Sequence, residues 1–80
     1  MNSLIDTPKT ARYEAGRIVI EMAGGDVVSF PVNVSERLKR GTPGQLSEIE
    51  LSPFGLHWPQ LDEDLSIRGI LAGQQADQAR

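Results

Sequence analysis

The chain of 80 residues contains no cysteine. That absence excludes disulfide staples, thiol nucleophiles and thiolate zinc sites together. It fits a reducing compartment, and the expectation is a cytoplasmic protein. No apolar run approaches the roughly 18 residues that a membrane-spanning helix requires. Met1 to Thr10 lacks a basic stretch followed by an apolar one, so neither a signal peptide nor membrane association is expected. Histidine is scarce as well, with His57 alone in the chain. A lone imidazole without a second His or a Cys makes a poor zinc site. Eight Lys and Arg face eleven Asp and Glu, a formal net charge of -3. That balance argues against a general nucleic-acid surface, because phosphate binding requires clustered Lys and Arg.

What is present suits one small domain. Hydrophobic residues make up 39% and charged residues 24% of the chain. These are globular values, not disordered ones. A chain this short has little apolar surface to waste. The expected organisation is a loose lead-in over residues 1–10, a single domain over 11–73 and a frayed tail over 74–80.

Ile18, Ile20 and Met22 recur at period two, and Val27 to Phe30 follows after Ala23-Gly24-Gly25. Two such runs around glycines predict a β-hairpin. A two-residue loop would set Ile20 against Ser29 and mix polar with apolar partners on both faces. A three-residue loop, Ala23 to Gly25, sets Ile18 against Phe30 and Ile20 against Val28. A slip of one residue flips every side chain, so the odd-length loop is preferred, with Gly25 left-handed. A short edge strand near Arg12 to Glu14 precedes it, turning at Glu14-Ala15-Gly16.

Ser35 is a natural N-cap for a helix over Glu36 to Arg40, with Val34 and Leu38 as its apolar contacts. Thr42-Pro43-Gly44-Gln45 has the capping-box pattern of one helical turn. Leu46 to Leu51 alternates, with Ile49 and Leu51 expected inward. Ser52-Pro53-Phe54-Gly55 is turn chemistry, and Leu56-His57-Trp58 returns as a strand ended by Pro59. Asp62-Glu63-Asp64 reads as a loop, and Ser66 caps a last helix over Ile67 to Ala72 that stops at Gly73. The architecture expected is α+β: a small antiparallel sheet of three to five short strands, with two or three short helices packed on one face. Its core is expected to hold Ile18, Ile20, Val28, Phe30, Leu38, Ile49, Leu51, Trp58, Leu61, Leu65, Ile67, Ile70 and Leu71.

The segment from Gly55 to Ile67, with His57-Trp58-Pro59 and Leu61-Asp62-Glu63-Asp64, then Ile70-Leu71, is distinctive. It resembles the signature of a bacterial family known as domain of unknown function 2442. Phe30-Pro31-Val32 and Thr42-Pro43-x-Gln45 are similar to that family's hairpin end and turn. The resemblance spans about residues 11 to 73. This chain departs from the pattern near Val34 and Ser35 and at Pro53-Phe54. The resemblance implies a small α+β domain, a stand-alone member without the helix-turn-helix segment that some relatives carry. It implies no activity. Stand-alone relatives often sit beside a second small protein in a toxin–antitoxin-like gene pair, which implies an antitoxin-like partner role.

His57 with Asp62 and Asp64 is the constellation that can carry catalysis, by holding a divalent metal or sharing a proton. The bland alternative is architecture. His57 then bonds a backbone carbonyl, and Asp62, Glu63 and Asp64 serve the N-terminus of the last helix. Arg37, Lys39 and Arg40 are the basic cluster, which can dock a phosphate or an acidic partner or simply compensate a helix dipole. Trp58 anchors the core if buried and marks a binding hot spot if exposed. Gly24-Gly25 lacks the Lys-Ser or Lys-Thr pair of a phosphate loop.

The binding residues expected are His57, Trp58, Asp62, Glu63, Asp64, Arg37 and Arg40, with no catalytic residue, metal or cofactor. The favoured reading is a non-enzymatic protein-binding or regulatory module that contacts a protein partner or itself. A metal-dependent enzyme using His57, Asp62 and Asp64 is the first alternative. Nucleic-acid binding through Arg37, Lys39 and Arg40 is the second.

Overall fold

The computed structural model describes residues 7–78. The expectations for residues 1–6 and 79–80 lie outside the described residues. The described residues form two antiparallel three-stranded sheets and three short helices, an α+β fold. The first sheet is the meander β1 (Pro8–Glu14), β2 (Arg17–Met22) and β3 (Val27–Pro31). After a 3-10 turn at Val32–Val34 come α1 (Glu36–Lys39) and α2 (Pro43–Ser47). The second meander is β4 (Glu50–Ser52), β5 (Gly55–Trp58) and β6 (Glu63–Ser66), and α3 (Ile67–Gln78) follows it directly.

Register in the first sheet follows from the apolar alternation. Ile18 pairs with Phe30 and Ile20 with Val28, as the three-residue loop requires. Gly25 takes φ +105 there, and its N–H donates to the Met22 carbonyl at 2.9 Å. Tyr13 lies opposite Ile18 and Ala11 opposite Ile20, so apolar rows run across all three strands. The β1–β2 turn puts both Ala15 (φ 50) and Gly16 (φ 85) in the left-handed region. That is the demand of a two-residue hairpin loop whose twist matches its strands. β1 begins at Pro8, inside the expected lead-in, and Pro8 is tolerated because β1 is an edge.

The two sheets share one core of Ile18, Ile20, Met22, Phe30, Leu38, Leu46, Leu56, Trp58 and Ile67. β1 lies against β4 and α2, while α3 rests on β3 and β5 as well as its neighbour β6. Trp58 is fully buried, and its indole Nε1–H donates to the Leu46 carbonyl at 3.1 Å. A short helix leaves its last carbonyls unpaired, so this bond closes one end of α2 while tying it to β5.

The antiparallel strands are divided between two sheets, and of Asp62-Glu63-Asp64 only Asp62 stays in a turn. Glu63 to Ser66 pairs with Gly55 to Trp58 as a third strand. The stretch from Leu46 is helical through Ser47, so only Glu50 to Ser52 remains extended. Leu51 shares a face with Leu56 but lies on a three-residue edge strand, and it is 39% exposed. Val34 is exposed because the 3-10 turn carries it outward, and Val32 packs on the core instead. α3 does not stop at Gly73 but runs through residues 74–78 of the expected tail.

Gly55 is fixed by close approach. A Cβ there would lie 2.4 Å from the Leu65 carbonyl oxygen and 3.1 Å from the Ser66 Cα, both backbone atoms of the adjacent strand. Relief requires opening the β5–β6 ladder. Gly55→Ala is therefore expected to cost roughly 1–3 kcal/mol or more. Gly73→Ala meets nothing within 4 Å. Inside a helix it should stabilise by roughly 0.5–1 kcal/mol. Urea melts of the two variants check the contrast, and equal midpoints would contradict it.

Candidate functional site

Strand alternation decides where the His-Trp segment points. Leu56 and Trp58 are buried, so His57 between them faces outward. Its side chain is 37% exposed, and Nδ1 lies 2.6 Å from Asp64 Oδ1. A carboxylate only accepts, so Nδ1 is the donor and the ring orientation is set. The partner is thus a carboxylate rather than the backbone carbonyl expected. Trp58 is core, so it is no exposed hot spot.

The same alternation on β6 separates the acidic residues. Asp64 pairs with His57 across the ladder and shares its outward face. Glu63 pairs with Trp58 and points the other way, where Glu63 Oε2 accepts from the Ser35 hydroxyl. Ser35 Oγ itself accepts the Leu38 N–H at 3.3 Å, capping α1. A cap is thereby linked to a carboxylate from a distant strand, close to the helix N-terminus that favours negative charge. Asp62 sits in the turn before β6 with φ 53, a conformation Asp tolerates. Its carbonyl oxygen accepts from Arg37 Nη1, and Asp62 Oδ2 lies 3.4 Å from the same nitrogen. These carboxylates therefore serve α1 and His57, not the last helix. Ser66 caps α3 instead, its Oγ accepting the Gly69 N–H at 2.9 Å.

The predicted metal set is dispersed by these contacts. Asp62 turns to Arg37 while Asp64 turns to His57. Among the described residues no group of three or more His, Asp or Glu is placed to hold a metal ion. The basic cluster also divides. Arg37 is held by Asp62, whereas Lys39 and Arg40 each lie 3.9 Å from Glu36 in exposed pairs worth little in stability.

What the structure does bring together is the outer face of the second sheet. Glu50, His57 and Asp64 form one cross-strand row, and Ser52, Gly55 and Ser66 the next. A shallow open depression of about 350 Å³ lies on this face. Residues 50–52, 54–57 and 64–66 line it. Phe54 stands at its edge, 80% exposed, in the turn between β4 and β5. Its backbone is fixed on both sides. Ser52 Oγ accepts the N–H groups of Phe54 (3.2 Å) and Gly55 (3.1 Å), and the Phe54 carbonyl accepts the Ile67 N–H at 2.8 Å. Glu50, Ser52, Phe54 and Ser66 were not among the expected site residues. Counting register outward from the Ser52-Pro53-Phe54-Gly55 turn would have placed Glu50 opposite His57.

The Ser35–Glu63 contact is open to a double-mutant cycle. Ser35→Ala removes a cap and should cost about 1 kcal/mol. Glu63→Gln should be destabilising, and the double variant should lose less than the sum of the two. Thermal melts read the coupling, and strict additivity would show that the two side chains act independently.

No curated protein matches the chain. Two solved structures are similar to it. One is a protein of unknown function from Rhodospirillum rubrum, 31% identical, with a TM-score of 0.81 over 88% of this chain and 89% of that one. The other is an uncharacterized protein from Chromobacterium violaceum, 32% identical, with a TM-score of 0.75 over 84% of this chain and 65% of that one. A sequence profile described as protein of unknown function (DUF2442) matches residues 8–76. With that match covering most of its length, the chain belongs to the DUF2442 family.

Proposed function

We propose that this chain is a non-enzymatic protein-binding module of the cytoplasm, the regulatory partner of a second small protein in the antitoxin-like sense that the family resemblance implies. The observation that carries the reading is Phe54, a large aromatic held in a rigid turn beside an open depression. An exposed aromatic on a pre-ordered backbone can bury its ring against a partner without first losing chain entropy. Nucleophilic catalysis would need a free hydroxyl beside a base. The two serines of this face are engaged instead, Ser52 in the turn and Ser66 at the α3 cap. A depression this shallow also suits a protein surface better than a small substrate, since ligand pockets enclose most of the molecule they hold.

The full-length chain, tagged and expressed in its native cell, should recover one stoichiometric protein partner. Phe54→Ser should abolish that recovery while leaving the thermal melt unchanged. Failure to recover any partner with the unaltered chain would overturn the reading. Equal recovery by Phe54→Ser would remove this face from it.

A further inference from the structure

We infer that the partner engages this face through a cationic segment, one with Lys or Arg beside an apolar anchor that packs on Phe54. The inference rests on the protein-binding reading and adds the chemistry of what is bound.

Charge on the face carries it. The depression is lined by two carboxylates, Glu50 and Asp64, and by no Lys or Arg. Glu50 is exposed and has no ion-pair partner among the described residues. Asp64 gives Oδ1 to His57 yet keeps its side chain 78% exposed. The two residues occupy the outer strands of one row with His57 between them, so they stand two strand spacings apart, roughly 10 Å. Two long cationic side chains of one segment can reach both. The most exposed apolar residue lining the depression is Phe54, whose ring offers stacking to a guanidinium and contact to an aliphatic side chain alike. The wider chain points the same way, with eleven acidic residues against eight basic ones. Phosphate-bearing partners are disfavoured here, because carboxylates repel them.

The test uses the full-length chain and a displayed library of random short peptides. Enriched peptides should carry Lys or Arg next to an aliphatic or aromatic residue. Their affinity should fall roughly tenfold with Glu50→Lys, which reverses an exposed rim charge. It should also fall as salt is raised, through screening. Glu50→Gln should give an intermediate loss, and both variants should melt as the unaltered chain does. Enrichment without a cationic bias would overturn the inference, as would no enrichment or affinity indifferent to Glu50→Lys. A native partner lost with Phe54→Ser but retained by Glu50→Lys would remove this inference and leave the protein-binding reading standing.

Discussion

The burial of Trp58 is the constraint on which the rest of the molecule depends. Each three-stranded sheet has an apolar face that must be covered, and the two sheets cover theirs in one shared core. Trp58 lies at the end of the central strand of one sheet and is wholly enclosed. Its N–H reaches the carbonyl of Leu46 on α2, and α2 lies against the edge of the other sheet. One side chain thus contributes the largest single apolar burial and satisfies a helix end that would otherwise be unpaired. In a domain whose net stability is of order 5–15 kcal/mol, that combination is a large share of the total.

Local rules made part of this fold legible in the sequence. The hairpin register followed from Ile18, Ile20, Val28 and Phe30 alone, because only one loop length kept them on a common face. The capping box at Thr42 and Gln45 formed as its residue types require, with the Thr42 N–H donating to the Gln45 side chain and the Gln45 N–H to the Thr42 hydroxyl. Contacts set by distant residues were not legible. Glu63 to Ser66 becomes a strand through pairing with Gly55 to Trp58, which no local propensity announces in so acidic a stretch. Leu51 was expected in the core because it alternates correctly, yet exposure depends on whether a further strand covers the edge. The extension of α3 beyond Gly73 is a similar case, where packing of Ile67, Ile70 and Leu71 outweighs the helix-breaking tendency of one glycine.

The acidic stretch shows why a sequence cluster is a poor guide to a site. Asp62, Glu63 and Asp64 are consecutive, but consecutive residues on a strand point in opposite directions. Glu63 joins the Ser35 cap on the inner side while Asp64 orients His57 on the outer side, and Asp62 remains in the turn beside Arg37. The residues that do gather on one surface come from three strands and are far apart in sequence. Glu50 belongs to that surface by register alone, which is why composition gave no sign of it.

The same alternation assigns the two sides of the second sheet to different tasks. Leu56 and Trp58 turn inward and hold the fold, so substitutions there act first on stability. His57, Asp64 and Glu50 turn outward, where they are available for contact. Gly55 joins the two sides. Its lack of a side chain is forced by the Leu65 carbonyl beneath it, a demand of the β5–β6 ladder. Gly55 also lines the depression beside Phe54. A steric requirement of the ladder therefore fixes a residue that also lines the recess, so strand pairing and the recess share Gly55.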